Sequence, residues 1–232
     1  MKMGKQIRGL LYFFTTDIRH AFIIFWTILL STLSVSLIAA YVLINVGETK
    51  MIFTLSIAVY IFCGFIGFLT AKERIPFSIK VGATRKNLFV SLGIFFLGLA
   101  IVKALLSNTL QLIMERMFHV ETIAFIHPAQ LLTNSWLTRV LIDTTVMFFI
   151  LSVMFLLGLL FYKYGLFGGG SVVGVAVIVL LLGMAQGWLV DFIIDVYQSL
   201  SMMLFYQIFF IGVVLYGVSW MFLRRITIAN TK

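Results

Sequence analysis

Charge is scarce in this chain of 232 residues. Only 11% of positions are Asp, Glu, Lys or Arg, where a soluble domain has about 25%. So few polar groups cannot cover a surface facing water, and the composition excludes an ordinary soluble globule. Cysteine is nearly absent: Cys63 stands alone, so no internal disulfide can form. No glycine-rich loop ends in Gly-Lys-Ser or Gly-Lys-Thr, so the phosphate cradle of an ATPase is missing. The stretch Gly165-Leu-Phe-Gly-Gly-Gly-Ser171 has glycines but no lysine after them, and reads as a flexible turn. No cleavable leader is expected, because the first apolar run, 21–43, is too long and lacks a small-residue cleavage pattern.

What is present is apolar: 62% of residues are hydrophobic, 24 of them Phe. A membrane-crossing helix needs about 20 such residues, and lipid leaves the backbone no partner but itself. Six runs meet the requirement, 21–43, 51–70, 87–108, 139–161, 171–190 and 200–223. They are continuous rather than alternating, which disfavours a β-barrel. The expected fold class is therefore an all-α integral membrane protein with six transmembrane helices, in one domain over 1–232.

The net charge of +9 points to lipid rather than nucleic acid. With six spans, Lys2, Lys5, Arg8, Arg19, Lys72, Arg74, Lys80, Arg85, Lys86, Lys163, Arg224, Arg225 and Lys232 share one side. Lys50, Lys103, Arg116 and Arg139 are left for the other side. The bias predicts both termini in the cytoplasm of a multi-pass cell-membrane protein. Ahead of the first span, Ile7, Leu10, Leu11, Phe14 and Ile18 recur at helical spacing, with Lys5, Arg8 and Asp17 toward the polar side. Residues 5–19 are expected to form an interfacial amphipathic helix, either a plain anchor or an elbow that passes force into the bundle.

Residues 74–86 form a cytoplasmic loop with local design. Pro76 suits the first turn of a short helix, Gly82 a left-handed end, and Thr84 a cap on the next helix, which opens with Arg85 and Lys86. A solvated turn with snorkelling bases and a knob gripped by a soluble partner both fit this pattern. Pro76, Phe77, Gly82, Thr84, Arg85 and Lys86, with apolar Ile75 and Ile79, resemble the first cytoplasmic loop of ABC-2 type (type V exporter) permease subunits, the small six-span permeases of Gram-positive bacteria. Ser78 and Lys80 depart from that pattern, and Ala83 replaces a β-branched residue. The elbow, the six spans and the close Phe222-Leu-Arg-Arg225 extend the likeness over nearly the whole chain. The resemblance implies a coupling helix in 74–86. Arg74, Pro76, Phe77, Ile79, Gly82, Thr84, Arg85 and Lys86 would dock on a separate ATP-binding subunit, present in two copies. ATP and Mg would then sit on that partner and no cofactor on this chain. A second permease, the same or a sister chain, would complete the conduit, and cargo would be a hydrophobic or amphiphilic peptide or drug, exported.

Charges inside apolar runs are costly and call for partners. Lys103 and Asp143 lie at corresponding depths of the third and fourth runs. A direct pair, snorkelling to water, and contact with substrate all remain open for them. Gln186, Trp188, Asp191 and Asp195 fall in a short stretch that could enter the outer leaflet as a broken hairpin. Gly64, Gly67, Gly93, Gly98, Ala100, Ala104, Gly174, Gly183 and Gly187 would allow close helix approach, chiefly within the bundle. Residues 109–138 form a large extracellular loop in which Pro128 interrupts any helix. His119 and His127 are too few for a zinc site and are expected at the surface. No convergent nucleophile, acid–base or metal set supports an enzyme. A non-transporting membrane scaffold, immunity factor or sensor is the alternative function.

Overall fold

A computed structural model describes residues 3–44, 51–117, 123–132 and 135–226. Lys2, Lys50, His119 and Lys232 lie outside the described residues. The fold is all-α. Its helices are α1 (Met3–Ile44), α2 (Leu55–Leu69), α3 (Ile75–Lys80), α4 (Arg85–Met117), α5 (Trp136–Ala185), α6 (Trp188–Gln198) and α7 (Met202–Leu223). Two three-residue strands, β1 (Met51–Phe53) and β2 (Ile123–Phe125), pair in parallel beside them. Among the described residues, five helical stretches are long and apolar enough to cross a membrane: Gly4–Val42, Leu55–Lys80, Arg85–Met117, Trp136–Ala185 and Met202–Leu223.

The expected elbow over 5–19 is not a separate element, because α1 runs unbroken for 42 residues. No glycine or proline interrupts it after Gly9, and the Thr15 hydroxyl bonds back to the Leu11 carbonyl at 2.9 Å. The stripe Leu10, Phe14 and Ile18 is real, but it is buried against protein, with the Phe14 ring 5.5 Å from that of Phe95 on α4. An amphipathic period shows that one face is covered; it does not distinguish a bilayer from another helix.

The fourth and fifth expected spans lie within or overlap the single element α5, of 50 residues. Its one non-helical residue is Gly165, at φ 70° and ψ −168°, a region open to glycine. The chain folds back there. A Cβ on Gly169 would fall 2.4 Å from the Phe161 ring, eight residues earlier, whereas eight residues of straight helix span about 12 Å. The expected flexible turn over 165–171 is therefore confined to one residue, and 166–185 continues as helix.

Between α2 and α3 the chain makes a π turn over Thr70–Arg74. The Ile75 amide reaches the Thr70 carbonyl, five residues back. Pro76 explains it: in a regular helix its ring would strike the carbonyl four residues earlier, and the wider turn accommodates it. The short helix expected to begin at Pro76 is thus a continuation of α2.

Side-chain contacts give the helix directions. Gln6 meets Asn87, Phe14 meets Phe95 and Trp26 meets Lys103, so α1 and α4 are parallel. Phe96 meets Phe155 and Glu115 meets Arg139, so α5 begins antiparallel to α4. Ile142 clusters with Phe205, Phe155 stacks on Tyr216 at 6.0 Å, and Lys163 lies over the Phe222 ring at 5.5 Å. The first arm of α5 and α7 are therefore parallel, and the chain between them must return the length of the bundle. The 20 helical residues after Gly165 supply about 30 Å of that return. One end, the loop end, gathers Gln6, the 81–84 turn, Lys163 and Ile226. The opposite, cap end holds β1, β2 and a 3-10 turn at Pro128–Leu131.

The core is aromatic and aliphatic: Phe14, Phe96, Phe155, Leu92, Leu151 and Leu159 are fully buried. Residues 166–185 and α6 contribute little to it, and Leu181, Val175, Phe192 and Ile193 are exposed. Such faces suit hydrocarbon rather than water.

Candidate functional site

The loop end carries the most connected polar cluster. α3 ends with the Gly82 amide on the Ile79 carbonyl and the Ala83 amide on the Ser78 carbonyl, both 3.0 Å. Gly82 is left-handed at φ 89°, as the sequence led us to expect. The Asn87 amide lies 3.4 Å from the Thr84 hydroxyl oxygen. Gln6 of α1 then ties the turn down. Its amide nitrogen donates to the Gly82 carbonyl at 3.1 Å, while its carbonyl oxygen accepts from the Thr84 hydroxyl at 3.1 Å and from the Asn87 side-chain Nδ2. On the other side the Arg85 guanidinium donates to the carbonyls of Arg224 and Ile226, past the last turn of α7. This arrangement satisfies orphan carbonyls at a helix C-terminus. The Phe77 ring stacks on Phe13 at 4.8 Å between centroids and remains 50% exposed. Pro76 is partly buried, Ile79 packs against the core, and Lys86 is exposed. Residues 74–86 thus sit where α1, α4 and α7 join.

Arg74 points the other way, into the bundle. Its Nε donates to Asp17 at 2.7 Å and its Nη1 to the Thr70 hydroxyl at 2.9 Å. The guanidinium carbon also lies 6.0 Å from the Phe95 centroid. Arg74 is buried and therefore braces α1 against the π turn.

Lys103 and Asp143 are both fully buried, and the structure does not join them in an ion pair. The Lys103 ammonium lies among four rings, with centroid distances of 3.8 Å to Phe25, 3.9 Å to Phe62, 4.4 Å to Phe22 and 5.1 Å to Trp26. Its nitrogen has no hydrogen-bond partner among the described residues. Attraction to ring faces is the compensation available to it. Asp143 instead accepts from the Tyr60 hydroxyl, from Asn108 Nδ2 at 2.7 Å and from His127 Nε2 at 3.1 Å. His127 Nδ1 accepts from the Ala129 amide at 3.0 Å, so the proton of a neutral ring is on Nε2, facing the carboxylate. His127, expected at the surface, is buried: it is the pin by which the cap-end loop reaches α2, α4 and α5. Nearby, Arg139 bonds both oxygens of Glu115, at 2.8 and 3.0 Å.

Glycine positions divide by neighbour. Cβ atoms added at Gly67 and Gly158 would each lie 2.7 Å from a backbone carbonyl, of Leu151 and Phe68 respectively. These two mark the close crossing of α2 with the first arm of α5. Gly98 and Gly174 would meet nothing within 4 Å. Asp191 and Asp195 lie one turn apart on α6, behind the left-handed Gly187. No group of three or more His, Cys, Asp or Glu converges among the described residues.

Sequence reasoning located Lys103, Asp143 and the 74–86 loop, but it missed Gln6, Tyr60, Asn108 and the aromatic box. Their roles come from partners 35 to 83 residues away in Asp143's case, and no local spacing announces them. The chain is an all-α membrane protein with about five helical stretches of membrane-crossing length. No family model, curated protein or solved structure matches it.

Proposed function

We propose that this chain is the membrane-spanning subunit of an ATP-driven exporter of the ABC-2 kind. The observation that supports this reading most is the wiring of the 74–86 knob. Gln6 fastens it to α1, α4 grows directly from it, and Arg85 fastens it to the end of α7. A partner pushing on exposed Phe77 would therefore load three helices at once. The N-terminal half of α1 takes the force-bearing part of an elbow without being a separate helix.

In this reading the chain crosses the membrane six times, with α5 crossing twice about Gly165. Lys5, Arg8, Lys72, Lys80, Arg85, Lys86, Lys163, Arg224 and Arg225 belong to the loop end, which we assign to the cytoplasm with both termini. ATP and Mg belong to a separate ATP-binding subunit in two copies, and a second permease completes the path. The chain itself is not an enzyme. The 74–86 side chains Arg74, Pro76, Phe77, Ile79, Gly82, Thr84, Arg85 and Lys86 form or support the docking surface. Closure of the ATPase pair would tilt the tethered helices and open a route for a hydrophobic or amphiphilic cargo.

Purification of the full chain from its native membrane tests the assignment. A co-purifying ATP-binding subunit that is lost in Phe77→Asp supports it. A wild-type chain that emerges with no ATPase refutes it and favours a membrane scaffold. Single-cysteine labelling in a Cys63→Ser background supplies a second check. Positions 5, 80 and 163 should react from one side, and labelling of 5 and 80 from opposite sides would overturn the six-span assignment.

A further inference from the structure

At the loop end, α1 and the α3 turn form a groove of about 360 Å³ lined by Gln6, Gly9, Leu10, Phe13, Phe77 and Val81 among others. It is many times a water's share of liquid volume, about 30 Å³, and its walls are mostly apolar. Val81 is 72% exposed at its rim. Bases outnumber acids around the groove: Glu73 precedes α3, and Asp17, one turn beyond Phe13, is paired with Arg74. Gln6, Gly9, Leu10 and Phe13 form one face of α1, and Lys5, Arg8 and Tyr12 form the adjacent row at helical spacing. Lys80 is exposed in the last turn of α3, one residue before the lining residue Val81.

We propose that this groove holds an acyl chain of an anionic phospholipid of the leaflet at the loop end. The phosphate would lie on Lys5 and Arg8, with Lys80 next to the rim residue Val81. Apolar walls take up the chain, and bases near the surface attract the headgroup. The inference does not depend on the transport reading, since it requires no ATPase.

The test uses the full chain, delipidated in detergent and titrated separately with dioleoyl phosphatidylglycerol and dioleoyl phosphatidylcholine, with bound lipid counted by native mass spectrometry. The wild type should retain phosphatidylglycerol preferentially. Gly9→Leu should remove the preferred site by filling the groove; a Cβ at Gly9 meets nothing within 4 Å, and leucine is a better helix former than glycine, so the fold is kept. Lys5→Gln and Arg8→Gln should each weaken phosphatidylglycerol about fivefold and leave phosphatidylcholine unchanged. Lys163→Gln, at the same end but outside the groove, should behave as wild type. Equal retention of both lipids by the wild type, or unchanged selectivity in Gly9→Leu, would overturn the proposal. So would a Gly9→Leu chain that keeps its lipid but loses a co-purifying protein, which would make the groove a protein dock.

Discussion

Removing the Asp143 carboxylate should loosen the cap end more than any other single change to a polar side chain. In Asp143→Ala, three buried or half-buried donors lose their acceptor: the Tyr60 hydroxyl, Asn108 Nδ2 and His127 Nε2. Each orphaned donor costs about 1 kcal/mol, the low end for buried groups and the range found between membrane helices. The sum is about 3 kcal/mol, at the lower edge of the cost of breaking a buried charged network. For a chain of this size that corresponds to a fall in Tm of roughly 6–12 °C. Asp143→Asn keeps one acceptor oxygen but turns a donor toward Asn108, so it should lose about half as much. Thermal unfolding of detergent-purified protein measures both. Hydrogen exchange over 123–132 should quicken in parallel, because His127 is the side chain that pins this loop to the carboxylate. An Asp143→Ala shift under roughly 2 °C, with loop protection unchanged, would show that the cluster is not a structural pin.

Other substitutions separate the remaining contacts. Gly67→Ala and Gly158→Ala should each destabilise by about 1–3 kcal/mol through overpacking against a backbone carbonyl, whereas Gly98→Ala, with open space around it, should be neutral or gain up to about 1 kcal/mol; equal Tm values for the three would refute the assigned crossing. Lys103→Met keeps the length of the side chain and removes an unpaired buried charge, so its Tm should equal or exceed the wild type. A loss above about 1 kcal/mol would mean that the four rings compensate the ammonium in full. Arg74→Met should cost about 1–2 kcal/mol, less than a fully buried pair because Asp17 is half-exposed, and a double-mutant cycle with Asp17→Asn should recover most of it. Additivity in that cycle would leave the ion pair without a role.

Particular residues show how far the chain could be read in advance. The apolar runs were legible because a helix in hydrocarbon is a local solution: each backbone group must find its partner within the segment. The turn at Gly82 was legible for the same reason, since a left-handed φ is a property of one residue. Depth and direction were harder. The stripe through Leu10, Phe14 and Ile18 has the period of a covered face, and only packing against Phe95 shows that protein covers it. Lys103 and Asp143 stand out in the sequence as charges within apolar runs, yet proximity in depth does not choose a partner. Lys103 entered a box built by α1 and α2, and Asp143 took Tyr60, Asn108 and His127.

Sequence alone determined that this protein is helical and has several stretches apolar enough to cross a membrane. Those outcomes follow from the solvent and from spacing within single segments, where free energy depends on neighbours a few residues away. Tertiary structure alone decided that Gln6 and Arg85 lash the 74–86 knob to α1 and α7, that Gly67 and Gly158 are the glycines at a crossing, and that His127 belongs to the interior. Each is a meeting of segments far apart in the chain, selected by shape and by the need of every buried polar group for a partner, which no window of the sequence contains.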